Sequence, residues 1–134
     1  GMARGDWNAD GREDIVITHI DAPPAVLTNV SETCGRSFVA RLVATETARD
    51  GIGTVVTVRT GETLLMRQLT AGDGFHASNQ RIVTFGVGDR GSVDELSVRW
   101  PSGHIQTWSN LATGFQMLLI EGAETPIELF QHRE

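Results

Sequence analysis

Glycine-centred punctuation sets the strongest constraint on this chain. Gly51-Ile52-Gly53, Thr60-Gly61, Gly72-Asp73-Gly74, Gly88-Asp89-Arg90-Gly91 and Pro101-Ser102-Gly103 break the sequence at short, fairly even intervals. Glycine, aspartate and proline supply the dihedral angles that tight turns need. Between the breaks lie short runs rich in Thr and Val, and nowhere do apolar residues repeat at helical spacing between helix caps. The pattern dictates an all-β chain. It predicts strands at Asp14 to Ile20, Ala25 to Val30, Phe38 to Thr45, Thr54 to Thr60, Thr63 to Leu69, Arg81 to Phe85, Val93 to Trp100, Ile105 to Trp108 and Phe115 to Ile120. Such spacing suits a sandwich or barrel. Leu96-Ser97-Val98-Arg99-Trp100 alternates strictly, so Leu96, Val98 and Trp100 share a core face while Ser97 and Arg99 face water.

The polar run Ser31-Glu32-Thr33-Cys34-Gly35-Arg36 marks a change of composition between the second and third strands. We therefore expect a first unit at 1–33, a main domain at 36–125 and a C-terminal tail at 126–134. In the first unit Ile15-Val16-Ile17 is apolar on both faces, as in a strand covered on both sides within stacked propeller blades.

Ahead of that strand, Asp6-Trp7-Asn8-Ala9-Asp10-Gly11-Arg12-Glu13-Asp14 places oxygen side chains at the first, third, fifth and ninth positions of a loop, with Gly11 at the sixth. Hard cations want this arrangement: calcium takes six to eight oxygens at about 2.3 to 2.6 Å, and a glycine permits the sharp bend. Asp6, Asn8, Asp10 and Asp14, with the peptide carbonyl of Arg12, form the expected ligand set. The alternative is a polar turn with a solvated acidic face. The loop is shorter than an EF-hand, whose twelfth position needs a bidentate glutamate where this chain has Ile17.

Gly5-Asp6-Trp7-Asn8-Ala9-Asp10-Gly11-Arg12-Glu13-Asp14-Ile15-Val16 resembles the FG-GAP, or VCBS-type, repeat of integrin-like β-propellers. The resemblance implies a propeller-repeat β-hairpin, with Asn8 replacing the usual second Asp. It further implies Ca²⁺ bound in the complete propeller, weakly or not at all by this piece. Upstream blades of the same chain would be its first partner. From Phe38 onward, the motifs Arg49-Asp50-Gly51-Ile52-Gly53, Gly72-Asp73-Gly74-Phe75, Ala77-Ser78-Asn79-Gln80-Arg81, Phe85-Gly86-Val87-Gly88 and Val98-Arg99-Trp100-Pro101-Ser102-Gly103 follow in order, and in them the chain resembles the ASPIC/UnbV domain of the cartilage acidic protein family. With the hairpin before it, that resemblance implies an all-β fold with an antiparallel β-sandwich-like domain and an N-terminal propeller-repeat β-hairpin. Phe75 stands where Tyr is frequent in that family, and Thr84 where His often precedes Phe-Gly. The module usually follows FG-GAP propellers in exported proteins, which implies an extracellular or periplasmic location. The leading Gly1-Met2 reads as an expression scar, so a signal peptide is expected to have been trimmed away.

Several chemistries are disfavoured. Eleven arginines, no lysine and 17 acids give a net charge of -6, the wrong sign for a phosphate backbone, so nucleic acid is not an expected partner. No run approaches the length of a membrane span, and no membrane insertion is expected. Cys34 is the single cysteine, which excludes an internal disulfide or a redox pair. Gly51-Ile52-Gly53 lacks the third glycine and helix of a dinucleotide site. His19, His76, His104 and His132 have no metal-hydrolase spacing, and Asp50, Asp73, Asp89 and Asp94 nominate no carboxylate pair. No catalytic set is expected.

What remains is recognition. Asp73, Phe75, His76, Ser78 and Asn79 form a polar loop around an aromatic, and Trp108, alternating with Gln106, is a further candidate for exposure. Such a cluster could hold a glycan or an extracellular protein, or could be ordinary loop packing. The expected job is non-catalytic binding, and the family resemblance implies extracellular recognition by the C-terminal part of a larger calcium-binding propeller protein. The alternatives are an accessory domain of a secreted hydrolase and a structural cap on the propeller.

Overall fold

A computed structural model describes residues 1–131 of the 134. Among them the chain is all-β, with eleven strands and no helix. β1 (Met2–Gly5), β2 (Asp14–Ile17) and β3 (Ala25–Leu27) form an antiparallel three-stranded sheet. A mixed four-stranded sheet has the order β11-β10-β4-β7, built from β4 (Arg36–Val43), β7 (Val83–Gly88), β10 (Phe115–Ile120) and β11 (Ile127–Gln131). A second four-stranded sheet, antiparallel throughout, has the order β6-β5-β8-β9, from β5 (Val55–Thr60), β6 (Thr63–Gln68), β8 (Ser92–Arg99) and β9 (Ile105–Ala112).

Each predicted strand has a counterpart, and two strands were not expected. Met2–Gly5 lacks the alternation of a strand, yet it pairs with β2. Ile127–Gln131, inside the segment read as a tail, pairs with β10 across a bulge between Gln116 and Met117. The rest of that segment, residues 132–134, lies outside the described residues, and His132 with it. The N-terminal unit is thus a three-stranded sheet. Within the mixed sheet β4 runs parallel to β10, with Val39 opposite Gln116 and Val43 opposite Ile120, so the sandwich is not purely antiparallel.

The two four-stranded sheets face each other over one core. From the mixed sheet come Phe38, Ala40, Leu42, Val83, Phe85, Met117 and Leu119; from the antiparallel sheet come Val56, Val58, Val93, Leu96 and Val98. Trp100 is 1% exposed and donates its indole N–H to Gln106 Oε1 at 2.6 Å. Alternation explains the choice of face, because successive side chains of a strand point to opposite sides. Burying a side chain of Leu or Phe size contributes about 1.5–3 kcal/mol, so this inner layer is the main source of stability. The whole core cluster falls between Phe38 and Leu119.

Glu121, just past β10, is only 3% exposed. Its carboxylate accepts the amide N–H groups of Thr45 (2.8 Å) and Glu46 (3.1 Å) and the hydroxyl of Ser102. Burial alone would raise its pKa, but these bonds and the charge of His104 outweigh burial and hold it below the usual carboxylate value. One carboxylate therefore ties the end of β10 to the turns after β4 and after β8.

Candidate functional site

The loop between β6 and β7 carries most of the candidate recognition residues, and the structure brings them together. Asp73 closes its neck. The Thr70 hydroxyl donates to Asp73 Oδ1 and Asn79 Nδ2 donates to Asp73 Oδ2 at 2.5 Å. The Thr70 bond first, then the Asn79 bond, lowers the Asp73 pKa, with a contribution from the charge of Arg4. The tip is narrowed by an antiparallel bridge between Gly74 and Ala77. His76 adopts a left-handed conformation there, φ 51°, and its ring meets Phe75 edge-on at 4.3 Å between centroids. Phe75 itself is 83% exposed. Ser78 is exposed on the same loop.

The far side of the loop is stitched to the N-terminal sheet. Asn79 Oδ1 accepts the amide N–H of Arg4 at 2.8 Å, and the amide of Gln80 donates to the Arg4 carbonyl at 2.9 Å. Gln80 Oε1 accepts the amide N–H of Asp6 at 2.7 Å. Two side-chain amides thus stand in for a neighbouring strand along the free edge of β1. Gly5 makes room for them, since a Cβ at that position would sit 3.0 Å from Gln80 Oε1. Asn79 therefore braces the loop through both ends of its amide, and Gln80 and Arg4 are partners that spacing did not reveal.

Trp108 stands apart from this cluster. Register places it opposite Leu96, at the end of a row that runs Leu65, Val58, Leu96, Trp108 across the core side of the antiparallel sheet. It is half-buried, packs against the core and donates its indole N–H to the Glu124 carbonyl at 2.7 Å. β9 and β6 are also opposite edges of that sheet. The exposure expected of Trp108 is not found: Gln106 and Trp108 share a face, and their register against Val98 and Leu96 turns that face to the core.

The acidic loop folds tightly around Ala9 and Gly11, both at positive φ (61° and 80°). Asp6 accepts the amides of Asp10 and Gly11. Asp10 accepts the Arg12 amide at 2.9 Å, the Asn8 side-chain amide at 2.7 Å and the Arg12 guanidinium at 2.6 Å. Burial opposes ionisation of Asp10, but these bonds outweigh it and lower its pKa. Asp14 is 1% exposed and accepts the amides of Trp7 at 3.1 Å and Asn29 at 2.7 Å, joining the start of the loop to the end of β3. The donor chemistry, carboxylate and amide oxygens with a backbone carbonyl, fits a hard cation. The arrangement is closed on itself, however: among the described residues no group of three or more His, Cys, Asp or Glu side chains is poised to hold a metal ion. The Arg12 guanidinium on Asp10 Oδ2 would compete with a cation for that oxygen.

A family model described as ASPIC and UnbV matches residues 44–126. The match takes in β5 to β10 and the braced loop. No curated protein matches the chain.

Proposed function

The chain belongs to the ASPIC and UnbV family, and we propose that it acts as a non-catalytic recognition module on a larger exported protein. Its ligand is a glycan or an extracellular protein, met at the tip of the 73–79 loop. The observation that carries this reading is the bracing of that loop: Asp73 closes the neck, Asn79 and Gln80 fix one side to β1, and Phe75 stands 83% exposed at the tip. A braced loop presents its aromatic with less backbone ordering entropy left to lose on binding, and the ring offers a large contact area. Residues 3–33 are, in this proposal, the last repeat of an FG-GAP-type propeller whose other blades lie upstream. Calcium on Asp6, Asn8, Asp10, Asp14 and the Arg12 carbonyl would shape it outside the cell or in the periplasm.

The test is a glycan array and a panel of secreted proteins, followed by titration of any partner with Phe75→Ala. Binding that falls at least tenfold while the fold is retained supports the reading. Binding indifferent to Phe75 overturns it, and so does turnover of chromogenic glycosides or esters that disappears in Asp73→Asn. A structural cap is the second reading. It is favoured by the apolar side chains that the N-terminal unit leaves in solvent: Ile20 at 99%, Val30 at 77%, Trp7 at 64%, and Val26 and Leu27 at 52% each.

A further inference from the structure

Three guanidiniums meet at one cavity on the outer face of the mixed sheet, away from the Phe75 loop tip. Arg41 is exposed on β4, between the core residues Ala40 and Leu42, and its parallel neighbour on β10 is Leu118. The turn after β4 contributes Arg49 and Asp50. Arg81, where the 70–81 loop returns to β7, pairs its guanidinium with Asp50 Oδ2. Leu129 of β11 completes the wall. The cavity measures about 450 Å³, inside the range of roughly 300–1,000 Å³ typical of small-molecule sites.

The charge here runs against that of the whole chain. Arg41, Arg49 and Arg81 against Asp50 leave a local excess of two positive charges in a chain of net charge -6. Arg81 has its carboxylate partner. Among the described residues, the guanidiniums of Arg41 and Arg49 have neither a hydrogen-bond nor an ion-pair partner, although the chain holds 17 acids. A guanidinium offers a planar fork of N–H donors that matches a carboxylate. Beside that fork the wall is aliphatic, and among the described residues no aromatic ring lines the cavity, which leaves a bare sugar without a stacking platform. Asp50 contributes one more feature: its Oδ1 is buried and has no hydrogen-bond partner, an acceptor that a donor close to the ligand's carboxylate would satisfy.

We propose that this cavity binds an organic carboxylate with an apolar body, the carboxylate on Arg41 and Arg49 and the body on Leu118 and Leu129. Two sources supply that chemistry: a free branched-chain acid, or the C-terminal carboxylate of a polypeptide ending in an apolar residue. In the second case the terminal peptide N–H is the donor that reaches Asp50 Oδ1. The site is independent of recognition at Phe75 and stands whether or not that reading holds.

The test is an amide NMR titration of the whole chain with three probes: 4-methylpentanoate, N-acetyl-leucine and the uncharged N-acetyl-leucinamide. Both acids should shift the amides of Arg41, Asp50 and Leu118 in the millimolar range, and the leucinamide should not. Arg41→Gln and Arg49→Gln should each weaken binding about tenfold. Arg41→Lys should lose less, because the charge stays while the fork is lost, and Arg59→Gln on the other sheet should change nothing. N-acetyl-leucine several-fold tighter than 4-methylpentanoate assigns the site to a peptide terminus; equal affinity assigns it to the small acid. The proposal is overturned if neither acid shifts these amides at tens of millimolar. Equal binding of the leucinamide overturns it too, as does undiminished binding by an Arg41→Gln, Arg49→Gln double variant whose spectrum shows the native fold.

Discussion

Replacing Asn79 and Gln80 together by Ala separates the two roles that the 73–81 loop combines, bracing and presentation. The double variant removes three side-chain hydrogen bonds: Asn79 Oδ1 from Arg4 N–H at 2.8 Å, Gln80 Oε1 from Asp6 N–H at 2.7 Å, and the Asn79 amide from Asp73 Oδ2 at 2.5 Å. Each such bond contributes about 1 kcal/mol net, so the expected loss is about 3 kcal/mol. The backbone bond from Gln80 to the Arg4 carbonyl survives and keeps the loss from growing further. Against a total stability of about 5–15 kcal/mol, a change of this size is readable in a urea titration. Hydrogen exchange gives the local readout, because the Arg4 amide loses its acceptor and its protection should fall roughly tenfold or more. Phe75→Ala is the control: with its ring in solvent, it should move stability by no more than about 0.5 kcal/mol. An unchanged urea midpoint together with unchanged protection at Arg4 would refute the bracing argument. A large loss from Phe75→Ala would show that the ring packs rather than presents.

Calcium binding to the acidic loop should be detectable by calorimetry, with a dissociation constant on the order of 10⁻⁴ to 10⁻³ M. It should vanish in Asp10→Ala and tighten in Arg12→Gln, since the guanidinium now occupying Asp10 competes with the ion; no heat at millimolar calcium in either wild type or Arg12→Gln, with the loop shown ordered by NMR, refutes the site. Glu121→Ala should cost about 2–4 kcal/mol by urea titration, because it strands the amides of Thr45 and Glu46. The Glu121 pKa is lowered on folding, so the wild-type carboxylate stabilises the fold above its ordinary pKa, and that contribution fades as pH falls through the lowered folded value. The wild-type advantage over Glu121→Ala should therefore shrink on acidification below about pH 4.5, and a gap that widens instead contradicts the assignment. Deleting residues 1–33 should leave a cooperative melt, since the core cluster begins at Phe38; a molten product would place the N-terminal sheet within the folding unit.

Local patterning carried most of the strand layout. Val93 to Trp100 could be assigned with its faces because alternation and a following Pro-Ser-Gly turn agree with each other. Features set by distant partners could not. β1 is a strand because β2 and the Asn79-Gln80 pair satisfy its two edges, and Asn79 lies 75 residues from Arg4. Ile127–Gln131 is short and exposed along its length, so its apolar residues mark no core face; the edge of β10 defines it as a strand. Trp108 shows the limit of parity, which says that Gln106 and Trp108 share a face but not which face, and only the register against Leu96 decides that. At the arginine-lined cavity, Arg41 and Arg49 are near neighbours in sequence but Arg81 is not, and the three converge only once β4 and the two loops are in place. The acidic loop was legible as a donor set, whereas its closure by the Arg12 guanidinium was not.

The parallel pairing of β4 with β10 has a consequence for the order of assembly. Val39 finds its neighbour Gln116 across most of the main domain, whereas β5 with β6 and β8 with β9 are joined by tight turns. Loop closure over such a span brings its entropic cost before any contact compensates for it. The hairpins of the antiparallel sheet can therefore form on a partly emerged chain, while the mixed sheet waits for its central strand to capture β10. Until then β4 offers a free edge to any other extended chain nearby. A nascent chain halted before Leu119 is thus an aggregation hazard rather than a half-folded domain, and maturation of this protein should be governed by the arrival of its last strands.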